Sequence, residues 1–153
     1  MARTVEVPAP PALDRPALFD TGVWTWVRDK RFPHLATWFN AQVAAGRVLV
    51  CELVVLELIR LTPNERRAHE LARRLVAFAS VPMPAELWSR ASEVQLLLAA
   101  EDQHRRVPPA DLLLAAAAEL AGVRLVHYDR DYERIAGVSA LEHSWLVPHG
   151  ALA

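Results

Sequence analysis

The chain has 153 residues, 53% of them hydrophobic and 23% charged, with only 5 glycines, a composition that supplies one domain with ample core and excludes disorder or low-complexity repeats over most of its length. A net charge of −1 gives no overall positive field of the kind that announces a nucleic-acid binder, so any basic patch must be local. The single Cys51 excludes both a disulfide-stapled fold and a cysteine-rich zinc site.

The first 16 residues, punctuated by Pro8, Pro10, Pro11 and Pro16, read as a flexible arm ahead of a domain spanning 17–152. They contain no apolar core of a signal peptide, and no run approaches the ~20 apolar residues that cross a bilayer. A cytoplasmic protein is expected, with no membrane partner. ALFD (17–20) is a short apolar run ending in an acid, which reads as a buried strand feeding a helix. Pro33 opens a second helix that Gly46 closes from a C-cap position near Ala45. RVLVC (47–51) is a second strand, and ELVVLELIRL (52–61) a helix that Pro63 ends. Further helices are expected over 64–79 and 84–105, the latter with Leu87, Ala91, Val94 and Leu98 at helical spacing. Pro108 and Pro109 open ADLLLAAAAELA, ended by Gly122, and VRLVHYD (123–129) is a third strand with an acid at its end. RDYERIA follows as a short helix stopped by Gly137, and HSWLV (143–147) as a last strand. Strands alternating with helices predict an α/β fold with a mostly parallel sheet. Such sheets bind ligands beyond the carboxyl ends of their strands.

Four acids stand out against this frame. Asp20 and Asp129 close predicted strands, Asp111 lies in the first turn of an apolar helix, and Glu57 is embedded in VVLELI. Each has a simpler explanation on its own: helix capping for Asp20 and Asp129, the helix dipole for Asp111, and exposure for Glu57. All four near one sheet edge is a different matter, because a buried carboxylate is costly unless paired or bound to metal. Lys30 is the only lysine, so Schiff-base and P-loop chemistry are excluded and cationic partners are scarce. Carboxylates without cations point to a hard divalent metal, and such a metal serves the hydrolysis of phosphodiesters through an activated water.

The segments LFDTGVW (18–24), LVVLELIR (53–60), PPADLLLAAAAELAG (108–122), LVHYDRDYERIAG (125–137) and WLVPHGAL (145–152) resemble the PIN-domain ribonucleases, and among them the VapC toxins of bacterial type II toxin–antitoxin pairs. The resemblance implies a three-layer α/β/α domain that cuts RNA with Mg²⁺ or Mn²⁺. It places Asp20, Glu57, Asp111 and Asp129 in the catalytic set, with Asp20 and Asp111 as the direct metal ligands. Thr21 matches a small hydroxyl residue beside the first acid, and Asp131 a further acid that shares the fourth role. Tyr132 stands where relatives often carry Phe, a mild change by this reading. The resemblance also implies a cognate antitoxin, homodimers and toxin–antitoxin hetero-oligomers. The helices at 52–61 and 64–79 are expected to offer the antitoxin a groove, and those at 33–45 and 84–104 to offer a dimer face. The alternative is a PIN-like module that binds nucleic acid or protein without cleaving; a DNA nuclease is a lesser one.

Other residues complete the expectation. His127 lies two residues before Asp129 on one strand face, either as a core histidine or behind the metal site. Glu52 reads as a helix-start or salt-bridge residue. Trp24 and Trp26 are candidates for the rim of the site. Arg28, Arg31, Arg105 and Arg106 are candidates for phosphate contacts or simply solvated helix ends.

Overall fold

The computed structural model of the chain describes residues 6–152. Strand β1 (Ala17–Phe19) leads through α1 (Thr21–Trp26) and α2 (Pro33–Ala44) to β2 (Val48–Leu49). Four helices follow: α3 (Glu52–Arg60), α4 (Glu65–Leu75), α5 (Glu86–Ala100) and α6 (Pro109–Ala121). The chain then closes with β3 (Arg124–His127), α7 (Arg130–Val138) and β4 (His143–Trp145).

The sheet runs β2-β1-β3-β4 with every pairing parallel. Consecutive residues of β1 are all buried, Ala17 to 1% and Leu18 and Phe19 to 0% exposure. Side chains on a strand alternate between faces, so a strand buried residue after residue is covered on both. Apolar side chains of α1, α3, α5, α6 and α7 join the strands in one core. The sequence reading of an α/β fold with a parallel sheet matches this architecture.

Strand order places the functional end. The chain passes from β1 to a neighbour on one side, β2, and its next strand, β3, lies on the other side of β1. That reversal opens a crevice at the carboxyl ends of β1 and β3. Asp20 follows β1 directly and donates its backbone N–H to the Val126 carbonyl of β3 at 3.0 Å, so the two strand ends are tied where the crevice opens.

Several boundaries differ from the sequence expectation. The helix expected over 84–105 stops at Ala100; Asp102 then takes the left-handed conformation (φ 55°), and a 3₁₀ turn covers His104–Arg106. Aspartate is among the few residues that tolerate that conformation, which is why the pattern alone did not mark the break. Gly137 does not end α7, which runs one residue further to Val138. Gly46 (φ 69°) and Gly122 (φ 65°) do sit just past the ends of α2 and α6 in the left-handed region, as expected. The VPMP segment lies beside β2, with Val81 N–H donating to the Val50 carbonyl at 2.7 Å. In the stretch expected to be a flexible arm, Pro10 is buried, Trp38 Nε1 donates to the Pro11 carbonyl at 3.0 Å, and Leu13 N–H donates to Gln42 Oε1 at 3.0 Å. Residues 10–13 are therefore laid against α2 rather than hanging away from it; residues 1–5 lie outside the described part of the chain.

Candidate active site

Four short elements deliver carboxylates to the crevice. Asp20 comes from the end of β1, Asp111 from the first turn of α6, and Asp129 and Asp131 from the junction of β3 with α7. Pro109 starts α6 in the position where a missing N–H costs nothing, and the helix N-terminus favours the charge of Asp111. Asp129 caps α7, its Oδ1 accepting from the Asp131 N–H at 2.9 Å. The capping explanation of Asp129 is thus correct, and it does not compete with a role in the site.

Asp111, Asp129 and Asp131 each present an oxygen within 4.8 Å of the others, a spacing one metal ion can bridge. Asp20 stands beside this trio rather than in it, and Tyr132, read from the sequence as a mild change from phenylalanine, supplies the link. Tyr132, wholly buried, places its hydroxyl 3.0 Å from Asp20 Oδ1 and 3.3 Å from Asp111 Oδ1. The only sequence signal was a tyrosine where a phenylalanine would pack as well. Gly22 also belongs to the site in a passive way: a side chain there would begin 3.3 Å from Asp20 Oδ2.

The electrostatics follow from this crowding. Burial pushes the Asp111 carboxyl up to about 7, helped by the charges of Asp20, Asp129 and Asp131 and opposed by the Tyr132 hydroxyl. Asp20 is raised as well, chiefly by burial; the Tyr132 hydroxyl and the backbone N–H groups of Gly22 and Thr21 pull it back. Asp131 is raised by burial and by Asp129, against Arg134, whose guanidinium lies 2.6 Å away, and the more distant Arg106. One acid of the cluster therefore has a cationic partner after all. Tyr132 is held well above its ordinary range by burial and the two carboxylates, so it remains a protonated donor.

Behind Asp129 stands His127, fully buried. Its Nδ1 accepts from the Asp129 N–H at 3.1 Å, so the ring proton sits on Nε2, which donates to His143 Nδ1 at 2.8 Å. Burial and His143 push its pKa down to about 3, so the ring stays neutral and fixes the Asp129 backbone. His127 is thus a buried core histidine that also braces the backbone of Asp129.

The remaining expected residues lie outside the acid trio. Glu57 is half-buried on α3 and forms no hydrogen bond or ion pair among the described residues; α3 is not apolar all round, since Glu52, Leu56 and Arg60 are exposed. Trp24 is a core residue rather than a rim, buried against Phe39 and Phe78 at 5.0 and 5.3 Å. Trp26 packs on Phe32 and Tyr128. Arg31 pairs with Asp29, Arg28 lies over the Trp24 ring, and Arg106 is near enough to act on Asp131, while Arg105 is simply exposed.

Comparison with known proteins agrees with the architecture. The PIN-domain family model matches residues 17–138. The chain belongs to the PIN-domain family. It is 36% identical over 135 residues to Ribonuclease VapC18 of Mycobacterium tuberculosis, covering 87% of this chain and 96% of that protein, which makes it a PIN protein of the VapC type. Its fold is that of the solved DNA-bound VapBC from Salmonella typhimurium, with a TM-score of 0.68 at 16% identity over 86% of this chain and 98% of that one. It is also that of VapBC-5 from Mycobacterium tuberculosis, a member of the VapBC family of toxin-antitoxin systems, with a TM-score of 0.59 at 17% identity over 87% and 98%. The three-layer arrangement and short parallel sheet of this PIN domain are as the resemblance implied.

Proposed function

We propose that this PIN domain is an endoribonuclease toxin that hydrolyses RNA phosphodiester bonds with a divalent cation, Mg²⁺ or Mn²⁺. The observation that carries the reading is the convergence of Asp111, Asp129 and Asp131 within 4.8 Å, with Asp20 joined to Asp111 through one hydroxyl. An all-oxygen donor set suits a hard divalent cation. When bound, the cation supplies activation of water and neutralisation of charge on the phosphate. The protein's own residues set the stage: Asp111 from α6 and Asp20 from β1 would hold it, together with Asp129 and Asp131 from the start of α7. His127 fixes the Asp129 backbone, and Arg134 fixes the Asp131 carboxylate. Asp111 gives up its proton before it can serve as a ligand, since its carboxyl titrates at about 7. Glu57, from α3, would orient water or a second ion.

The partners in this proposal are RNA, an antitoxin chain and a second copy of the toxin. The face between α3 and α4 supports the antitoxin site: a groove of about 430 Å³ there is walled by Val55, Leu56, Leu75, Val76 and Phe78, with Leu56 and Val76 largely exposed. An amphipathic helix is the natural occupant of such a groove. An arginine extended from it into the carboxylates would stand in for the cation's charge. The exposed Trp88, Leu96 and Leu97 of α5 support the dimer face.

Incubation of total RNA with the protein and Mg²⁺ is the direct test: cleavage is expected, and chelation by EDTA should stop it. Cleavage undiminished by EDTA would sink the metal reading. Growth inhibition retained in full by Asp20→Asn would favour a binding module over an enzyme. Sedimentation and co-expression with the neighbouring reading frame address the partners; a strict monomer that captures no small partner would count against both.

A further inference from the structure

We propose that Tyr132 is a positioning residue of the site, whose buried hydroxyl ties Asp20 of β1 to Asp111 of α6 and so presents Asp20 to a cation held by Asp111, Asp129 and Asp131. The inference rests on the cation reading above and goes beyond it by assigning a residue that none of the acids' roles includes.

Two carboxylates that approach one another across a crevice repel, and something must hold them. Among the described residues, neither Asp20 nor Asp111 has an arginine, lysine or histidine partner; the Tyr132 hydroxyl is the side-chain donor both share. The donor is rigid. Tyr132 has 0% exposure, and its ring packs on His127 with centroids 5.0 Å apart. It also rides on the turn that bears the other two acids: its own N–H points at the Asp129 carbonyl, while Asp129 caps the helix through Asp131. One turn of α7 thus sets two carboxylates and a hydroxyl in fixed relation. The hydroxyl then extends that relation to β1 and α6.

The two contacts are not equal. A phenol carries a single proton, and the shorter distance, 3.0 Å, is to Asp20, while Asp111 lies at 3.3 Å. Asp20 is therefore the carboxylate the hydroxyl orients, and Asp111 keeps the latitude to turn toward a cation. Packing alone does not call for the oxygen, because a phenylalanine ring fills the same space. A fully buried polar atom with two acid oxygens beside it is placed for what it bonds.

Orienting partners of metal ligands typically contribute about 10–100-fold in affinity. The test is Mn²⁺ binding by calorimetry on the full chain. Tyr132→Phe is expected to weaken Mn²⁺ by about 10–100-fold and to lower kcat on RNA while leaving KM for RNA unchanged. Tyr128→Phe is the control: that hydroxyl serves the C-terminal tail, accepting from Gly150 and Leu152 N–H groups at 2.9 and 3.0 Å, so its loss should lower Tm without changing Mn²⁺ affinity. A double-mutant cycle locates the effect. In an Asp20→Asn background, adding Tyr132→Phe should change Mn²⁺ affinity by less than about twofold, because a residue that acts through Asp20 has nothing left to position. If Tyr132→Phe alone does not fold, the comparison within the Asp20→Asn background still reads the effect, and a loss of Mn²⁺ affinity above about twofold there would overturn the proposal. Mn²⁺ affinity within about twofold of wild type in Tyr132→Phe, an equal loss in Tyr128→Phe, or full additivity in the cycle would each overturn the proposal while leaving the cation reading intact. Failure of the wild-type protein to bind Mn²⁺ would overturn that reading itself.

Discussion

Asp111 and Glu57 look alike in the sequence: each is a lone acid in a run of leucine, valine or alanine. The structure treats them differently. Asp111 sits at the first turn of α6, over the crevice between β1 and β3, and meets Asp129, Asp131 and the Tyr132 hydroxyl. Glu57 sits in the middle of α3, half-buried, with no bonded partner among the described residues. The difference is one of position along the helix. A first-turn acid is carried by its helix to the sheet edge and is favoured there by the dipole. A mid-helix acid points sideways and depends on the packing of the whole helix for what it meets.

Neutralising each acid in turn tests this difference directly. Asp111→Asn and Asp20→Asn are each expected to lower kcat on RNA by about 10²–10³-fold, the scale of losing one preorganised electrostatic group. Both should leave the fold intact, and Asp111→Asn should raise Tm without metal because it removes a crowded like charge. A loss of folding in these variants, read by circular dichroism, would show that the acids serve structure first.

A second prediction concerns pH. Asp111 titrates at about 7 in the folded chain, far above an ordinary carboxyl. A carboxyl whose pKa rises on folding holds its proton more tightly when folded, so its contribution to stability is full below about pH 4 and is lost as pH rises through 7. Without metal, the chain should lose stability across that window, on the order of 2 kcal/mol once screening at this partly exposed site is allowed for. Mn²⁺ binds the deprotonated site, so saturating Mn²⁺ should raise Tm more at pH 8 than at pH 5. Equal shifts at both pH values would contradict the crowded-acid picture.

The other side of the comparison calls for a smaller effect. Glu57→Gln is expected to lower kcat by about tenfold, the lower end of what an orienting residue contributes. A loss as large as that of Asp111→Asn would place Glu57 among the direct ligands. The smallest effect is expected at Tyr128→Phe: about 1 kcal/mol of stability, from hydrogen bonds that hold residues 150–152, and a Tm drop of about 2–4 °C in a domain of this size. Faster proteolysis of the C-terminal tail would accompany it.

Much of the fold was legible because local chemistry wrote it. Pro33 and Pro109 opened helices where proline's fixed φ is tolerated, Gly46 and Gly122 closed them where φ is positive, and buried apolar runs marked β1 and β3. Helix boundaries were less legible where a rare conformation intervened, as at Asp102. Nearness to Asp20 in sequence suggests the rim for Trp24, but a helix rotates neighbours away from each other, and its ring turns inward onto Phe39 and Phe78.

An α/β domain of the PIN family, four segments that each bear an acid, and a metal-friendly poverty of lysine can all be read from the order of residues. Those features depend on residue type, order and local propensity, which a linear string carries in full. Only the folded chain shows which acids share a point in space: Asp111 with Asp129 and Asp131, and Asp20 joined to Asp111 through one hydroxyl. It alone put one tyrosine hydroxyl between two carboxylates from different elements, and gave Asp131 its arginine. The physical reason is that strand order and helix rotation convert sequence positions into distances, and a hydrogen bond is made or lost over a few tenths of an ångström.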